Sequence, residues 1–188
     1  MILSPPVSAA LRIGLFSFFI VGLVTLVFHA TKDKIAENER QALLRSLQEV
    51  LIKDRYDNDL AADIVQLQAY TIYRARKSGY PIAAIISSTT PMGYNGNISL
   101  LTSITINGEI TGVRVVKHQE TPGLGDKIDT AKSDWILDFT GKPLNKISSS
   151  AWAVKQDGGS FDQFTGATIT PRAIVNEVKK IGLFFLTI

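Results

Sequence analysis

The sequence contains no cysteine, and its 188 residues include only two histidines, His29 and His118. The absence of cysteine excludes disulfides, thiolate zinc sites, cysteine-ligated iron–sulfur clusters and cysteine nucleophiles. Two histidines are too few for a multi-histidine metal site within this chain. The chain therefore has no side chain that carries electrons at biological potentials, and a redox function would need a bound cofactor.

The sequence also lacks a strong charge of either sign. Lys and Arg number 20 against 17 Asp and Glu, a net charge of +3 that is scattered along the chain. This balance predicts no nucleic-acid partner, because such partners require a concentrated basic surface. Without residues 1–30 the remainder stays close to neutral, which also excludes a polybasic domain that binds membrane surfaces.

A long apolar run lies near the N-terminus. Ile13 to Ala30 carries no formal charge over eighteen residues, and a helix of that length spans about 27 Å, close to the hydrocarbon thickness of a bilayer. We predict a retained transmembrane helix at 13–30, after a short segment 1–12 and before an extramembrane domain 31–188. A cleavable signal peptide is the alternative, but Phe28-His29-Ala30 has a bulky residue where cleavage sites have a small one.

The residues themselves leave the orientation of this helix open. Arg12 precedes it, whereas four basic residues follow it, so the positive-inside count favours a cytoplasmic domain. That count is weak evidence, because large domains are translocated largely regardless of charge.

The pattern of apolar and turn-forming residues after the predicted transmembrane helix predicts an α+β domain. A helix is expected from Thr31 to about Arg55, with an apolar stripe at Leu43, Leu47, Val50 and Leu51. Short strands are expected at 66–76 and 82–87. Asn107-Gly108 interrupts two alternating runs within 97–118 and predicts a β-hairpin. These strands predict a central antiparallel sheet flanked by helices.

The C-terminal third predicts shorter elements before a final helix. Trp135–Phe139 is expected to form a short apolar helix or turn, and Trp152–Gln156 a further strand. Thr170 is the expected N-cap of the last helix and Pro171 its first residue. The buried face of that helix is expected to comprise Ile174, Val178, Ile181 and Phe185.

The segment 157–171, DGGSFDQFTGATITP, is rich in small and hydroxyl residues and leads into this helix. A helix N-terminus offers free N–H groups and a partial positive charge, which favour a phosphate. Gly166 and Ala167 leave space for the close approach of a ligand. From the residues alone, this segment is a candidate anion site, and a tight turn into a capped helix is the alternative.

Asp162 to Thr168, DQFTGAT, resembles the D-x-x-[ST]-G-A-[ST] flavinylation motif of the FMN-binding domain family at every specified position. In that family, a flavin transferase esterifies the last hydroxyl residue of the motif with the ribityl phosphate of FMN. The resemblance implies that Thr168 is the attachment residue and that Thr165, Gly166 and Ala167 lie at the cofactor. Asp162 then belongs to the segment that the transferase recognises.

Two upstream segments carry further resemblance. Residues 120–127, ETPGLGDK, resemble the loop that lies against the isoalloxazine in this family, which implies polar contact from Thr121, apolar contact from Leu124 and a place for Gly123 beside the ring. Residues 93–98, GYNGNI, resemble the family's glycine-rich approach to the sheet. The order of these elements behind an anchor helix resembles the RnfG family of the Rnf electron-transport complex. The related NqrC family of Na⁺-translocating NADH:quinone reductase shares the motif and the loop in usually longer chains.

The resemblance implies FMN as cofactor and a role as membrane-anchored electron carrier without a complete active site of its own. It implies a ferredoxin:NAD⁺ oxidoreductase of the bacterial inner membrane, coupled to Na⁺ or H⁺ translocation, with the FMN domain in the periplasm. The implied partners are the membrane, other membrane subunits of the complex and, during maturation, the flavin transferase. Lys127 or Lys155 near the ring would stabilise the reduced anion, with a solvent-facing role as the alternative. A membrane-tethered binding or sensor domain without flavin, or a purely structural assembly subunit, also remains open.

Overall fold

The computed structural model describes residues 5–188, so residues 1–4 of the predicted segment 1–12 lie outside the described residues. The chain divides into two compact units, Met1–Ala42 and Leu43–Ile188. Helix α1 runs without interruption from Pro5 to Val50. The apolar helix predicted at 13–30 and the helix predicted from Thr31 are therefore parts of one element. The predicted end at about Arg55 is wrong, because α1 ends at Val50 and residues 53–55 form a separate 3₁₀ helix.

The first unit contains the apolar part of α1. Among the described residues, α1 is the one helix long and apolar enough to cross a membrane, and none of its most apolar 18-residue window is buried within the chain. In water, an apolar surface of this size would be exposed at a high cost in free energy, whereas a bilayer covers it.

The second unit contains a five-stranded antiparallel sheet in which each strand pairs with its neighbour along the chain. The predicted antiparallel sheet is confirmed. Its strands are β1 (Ile64–Leu67), β2 (Tyr70–Lys77), β3 (Tyr80–Thr90), β4 (Ile98–Thr105) and β5 (Ile110–Lys117).

The turns explain where the sequence prediction of strands holds and where it fails. The hairpin at Asn107-Gly108 is confirmed, since Gly108 adopts φ +75° and its N–H donates to the carbonyl of Thr105. The single strand predicted over 66–76 is wrong. Gln68 adopts φ +55°, and the turn it forms pairs Leu67 with Tyr70, so the run divides into β1 and β2.

Both faces of the sheet are covered. One face packs against the end of α1, where the predicted apolar stripe is confirmed by the burial of Leu47 and Val50 together with Leu51. Gly112 of β5 allows this approach, because a Cβ there would lie 2.9 Å from the carbonyl oxygen of Val50. The opposite face carries the larger core and packs against the C-terminal helix.

Helix α2 spans Ile169–Phe185 and differs from its prediction at both ends. Thr168 is the N-cap, so the predicted N-cap Thr170 lies inside the helix, where its hydroxyl reaches a buried carboxylate instead. Pro171 is tolerated in the first turn because no N–H there has an intrahelical acceptor. At the other end, Phe184 is buried, and Phe185, predicted for the core face, is half-buried and packs against the core.

Short 3₁₀ helices connect the sheet to α2. The predicted helix at Trp135–Phe139 is confirmed, with both of its aromatic residues buried. The strand predicted at 152–156 is wrong: Val154 forms one isolated bridge with Phe161 before the chain reverses at Gly158 and Gly159. The other 3₁₀ helices of this connection within the described residues are Gly125–Ile128, Leu144–Lys146 and Lys155–Asp157. One more, Lys53–Arg55, lies between α1 and β1.

Candidate cofactor cleft

The structure brings the two predicted loops together in a cleft of about 280 Å³ at the start of α2. One wall is formed by 166–170 and another by residues of the 120–125 loop, with Tyr94 from the glycine-rich segment beside them. The 120–125 and 166–170 segments are more than 40 residues apart in sequence, so the fold creates the cleft.

The motif segment is held in place by an aromatic anchor. The indole Nε1 of Trp135 donates to the carbonyl oxygen of Asp162 at 2.8 Å, and the Phe164 ring lies edge-on to the same indole, 5.2 Å away. The N–H of Ala167 then donates to the carbonyl of Phe164, and Gly166 adopts φ +80°, which favours glycine. The aromatic residue inside the motif is thus a core residue that presents the turn at the surface.

Thr168 lines the cleft from the N-cap position of α2 and is half-buried. Its hydroxyl makes no capping hydrogen bond and has no other partner within residues 5–188. The N–H groups of the first helical turn next to it lack intrahelical acceptors, and they make the helix start favourable for a phosphate. A hydroxyl at the cleft and a helix terminus that favours anions therefore coincide at this residue.

The 120–125 loop is a tight turn with its own hydrogen bonds. The N–H groups of Leu124 and Gly125 both donate to the carbonyl of Thr121 at 3.1 Å. The Thr121 hydroxyl accepts a hydrogen bond from the side-chain amide of Asn95 at 3.0 Å, which leaves its own proton free to donate to a ligand. Leu124 is exposed at the cleft and offers an apolar surface.

Several predicted site residues lie outside the cleft wall. Thr165 and Asp162 are exposed on the motif turn. Gly123 adopts φ +79° in the 120–125 loop, and its N–H donates a hydrogen bond to the Asp126 carboxylate. Lys155 forms an exposed ion pair with Asp162 at 2.5 Å. Neither Lys155 nor Lys127 is among the residues that line the cleft.

Glu120 has no role that the sequence pattern predicts, although it is the buried carboxylate of the cleft wall, 5% exposed. Its backbone N–H donates to Nδ1 of His118 at 3.0 Å, and Nε2 of that ring lies 2.9 Å from the Asp129 carboxylate. Because Nδ1 accepts, the neutral ring carries its proton on Nε2 and donates it to Asp129. His118 thus orients the start of the loop.

The chemistry of the cleft fits FMN. Small residues at a helix start suit the phosphate, and an apolar side chain beside polar groups suits the ring. The cleft also contains a hydroxyl without a hydrogen-bond partner in the described chain. The FMN-binding domain family model matches residues 93–181, which include every wall of the cleft. The fold and the cleft therefore define an FMN-binding flavoprotein, with FMN as its cofactor.

Similarity to known proteins extends over nearly the whole chain. The RnfG N-terminal region model matches residues 1–50. The G subunit of the ion-translocating oxidoreductase complex of Pseudoalteromonas atlantica is 45% identical, over 93% of this chain and 86% of its own length. The proteins of the same name from Shewanella baltica and Pseudomonas aeruginosa are 44% and 46% identical, over 97% and 94% of this chain and 90% and 86% of their own lengths. The chain belongs to this family of ion-translocating oxidoreductase G subunits, and the resemblance inferred from its motifs is confirmed.

Proposed function

We propose that this chain is a membrane-anchored electron-transfer subunit that carries FMN as a phosphoester of Thr168. The observation that carries the proposal is the Thr168 hydroxyl, which lines the cleft at the N-cap of α2 without a hydrogen-bond partner in the described chain. A phosphate linked to this oxygen would lie against the free N–H groups of the first turn, where the helix dipole stabilises negative charge.

The other cleft residues would hold the isoalloxazine. Thr121 would form a hydrogen bond to the ring, and Leu124 would make an apolar contact with it. Gly166 and Ala167 would leave space for the close approach of the cofactor. Gly123 provides the left-handed turn that places these loop residues. Bound FMN supplies one- and two-electron transfer, and the protein supplies its position and electrostatic surroundings.

Asp162 and Thr165 have a different proposed role. Both are exposed on the motif turn and neither lines the cleft, so a second protein has access to them. We assign them to recognition by the flavin transferase during maturation. Thr165 also lies next to Gly166, so its loss would weaken modification without removing the oxygen that forms the ester.

The proposed setting is a ferredoxin:NAD⁺ oxidoreductase complex that couples electron flow to Na⁺ or H⁺ translocation. The names of the relatives describe a subunit of an ion-translocating oxidoreductase complex, and this chain's partners would be the other membrane subunits. The chain would pass electrons between them without a substrate pocket or a general acid–base pair of its own.

Helix α1 is the proposed single-pass anchor in the bacterial inner membrane. Its apolar window is unburied and long enough to span the hydrocarbon core. We propose the periplasmic side for the FMN domain. The positive-inside count favours the opposite side, but it has little weight for a translocated domain of this size.

The test is co-expression of the full chain with a flavin transferase, followed by denaturing electrophoresis. The wild-type band is expected to fluoresce under ultraviolet light, since only a covalent flavin survives denaturation. Thr168→Ala should abolish the fluorescence, and Thr168→Ser should retain it because serine supplies the same oxygen. Ser160→Ala is the control, because it removes an exposed hydroxyl of the same segment that does not line the cleft, and it should fluoresce normally. A colourless wild-type protein of unmodified mass would contradict the proposal and favour a tethered binding domain without flavin.

A further inference from the structure

The Glu120 side chain connects three segments that line the cleft. Its Oε1 accepts the backbone N–H of Asn95 at 3.1 Å, and its Oε2 accepts a hydrogen bond from the Thr170 hydroxyl. Asn95 belongs to the glycine-rich segment and Thr170 to the first turn of α2. One carboxylate therefore joins the loop that contains it to both of the other walls.

The surrounding backbone is shaped to admit this carboxylate. A Cβ on Gly125 would lie 2.7 Å from Glu120 Oε2, and a Cβ on Gly93 would lie 2.9 Å from Oε1. Neither glycine has a positive φ. The need for glycine at these two positions therefore comes from packing around the carboxylate and, at Gly93, also around the carbonyl of Gly96.

The carboxylate carries a negative charge without a counter-ion. Both oxygens accept hydrogen bonds, one from a backbone N–H and one from a hydroxyl, and neither donor carries a charge. Across residues 5–188, no lysine, arginine or histidine nitrogen forms an ion pair with Glu120. Only local dipoles compensate the charge, and in a partly desolvated wall its field extends into the cleft.

We propose that Glu120 is a positioning residue that assembles the FMN cleft and whose negative charge lowers the midpoint potential of the bound flavin. The inference rests on the proposed function of this cleft as the site of a redox-active FMN. An electron added to the isoalloxazine increases its negative charge, and a fixed carboxylate in the wall opposes that increase. Removal of the charge alone should therefore make the flavin easier to reduce.

Two substitutions separate the charge from the geometry. Glu120→Gln keeps the size of the side chain: its amide oxygen accepts from Asn95, and its amide nitrogen donates to Thr170. Glu120→Ala removes both links. Glu109→Gln is the matched control, because Glu109 is exposed at the β4–β5 turn and does not line the cleft.

The first measurement is the midpoint potential of the flavinylated full chain in detergent, determined by optical redox titration. Glu120→Gln should shift the potential upward, while Glu109→Gln should leave it at the wild-type value. An unchanged or lower potential in Glu120→Gln would overturn the proposed effect of the charge. A merely structural role for Glu120 predicts no shift in this conservative variant.

The second measurement needs no flavin and uses the full chain expressed without the transferase. Hydrogen–deuterium exchange of the backbone amides of 93–97 and of the first turn of α2 should be about tenfold faster in Glu120→Ala, as expected for a lost buried hydrogen bond. Glu120→Gln should restore exchange to near the wild-type rate. Wild-type exchange in Glu120→Ala would overturn the positioning role.

A wild-type chain that never accepts flavin would instead overturn the proposed function, and the exchange result would show separately whether Glu120 holds the three walls together.

Discussion

Asp157 and Arg172 form a two-point ion pair across the segment that carries Thr168. Nε of Arg172 lies 2.6 Å from one carboxylate oxygen and Nη2 lies 2.8 Å from the other. Asp157 ends the 3₁₀ helix that precedes the motif, and Arg172 lies in the first turn of α2. The pair therefore closes the loop 158–171 at its base.

The first prediction concerns this closure. Asp157→Asn should increase amide exchange in 158–168 and slow flavin attachment several-fold, because the loop loses a charge-assisted link at its base. Asp138→Asn, which removes a charge from an exposed site without an ion pair in the described chain, should change neither. An unchanged exchange pattern in Asp157→Asn would show that the aromatic anchor holds the loop without the pair.

The same ion pair has a defined pH dependence. The hydrogen bond from Arg172 lowers the pKa of the Asp157 carboxyl below its ordinary value. A carboxyl with a lowered pKa in the folded state contributes stability above its unfolded pKa and loses that contribution as the pH falls through its folded pKa. The exchange difference between wild type and Asp157→Asn should therefore be full at neutral pH and disappear in acid.

A second prediction compares two threonines that are both fully buried. Thr102 Oγ1 on β4 has no hydrogen-bond partner in the described chain, whereas Thr170 donates to Glu120. Thr102→Val should raise the free energy of unfolding by about 1 kcal/mol, because it removes an unpaired buried hydroxyl. Thr170→Val should lower it by about 1–3 kcal/mol, because it leaves a buried carboxylate oxygen without its donor. Denaturant titration measures the change in the free energy of unfolding of each variant, and the two changes should have opposite signs. Destabilisation by Thr102→Val would indicate that a bound water is the partner of the Thr102 hydroxyl.

A third prediction separates backbone strain from a change in the cleft. Gly166 and Gly79 both adopt left-handed φ values, +80° and +82°. Alanine at either position should cost about 1–2 kcal/mol in the free energy of unfolding. A Cβ at Gly166 would lie 3.6 Å from Leu124 Cδ2, whereas Gly79 has open space around it. Only Gly166→Ala should also reduce the yield of flavinylated protein, and an equal yield in both variants would contradict the placement of Gly166 at the cofactor.

A fourth prediction concerns acid stability away from the cleft. Asp63 precedes β1 and pairs with Arg74 and Arg76 of β2, and the hydrogen bond from Arg76 is the main cause of its lowered pKa. Asp63→Asn should lower the free energy of unfolding by about 1 kcal/mol at neutral pH, a modest value because the pair is partly solvated. The stability that Asp63 contributes is present above its unfolded pKa and is lost as the pH falls through its folded pKa. The stabilities of wild type and Asp63→Asn should thus begin to converge as the pH falls below about 4, and a constant difference at all pH values would contradict the assignment.

Local sequence signals predicted the elements that depend on neighbouring residues. Asn107-Gly108 specifies its hairpin because the turn needs positive φ, and the spacing of Leu47, Val50 and Leu51 specifies the buried end of α1. The motif ending at Thr168 and the loop around Leu124 were both recognisable, and the structure brings them together in one cleft.

Features that depend on contacts between residues far apart in sequence could not be predicted from local patterns. Thr170 satisfies the local preference for an N-cap, but its hydroxyl bonds to Glu120, 50 residues earlier, and the N-cap lies two residues sooner, at Thr168. The role of Glu120 depends on the same long-range contact and on two glycines that lie beside it only in the fold. The turn at Gln68 that separates β1 from β2 needs a non-glycine residue with positive φ, which the composition of this segment does not predict.

We propose that FMN is esterified to the Thr168 oxygen in this cleft. The most direct test of this linkage is peptide mapping by tandem mass spectrometry of the full chain after co-expression with the transferase. The peptide containing Thr168 is predicted to gain the mass of one FMN less one water, with fragment ions that place the addition on Thr168. An unmodified peptide, or an addition that maps to Thr165 or Thr170, would contradict the claim.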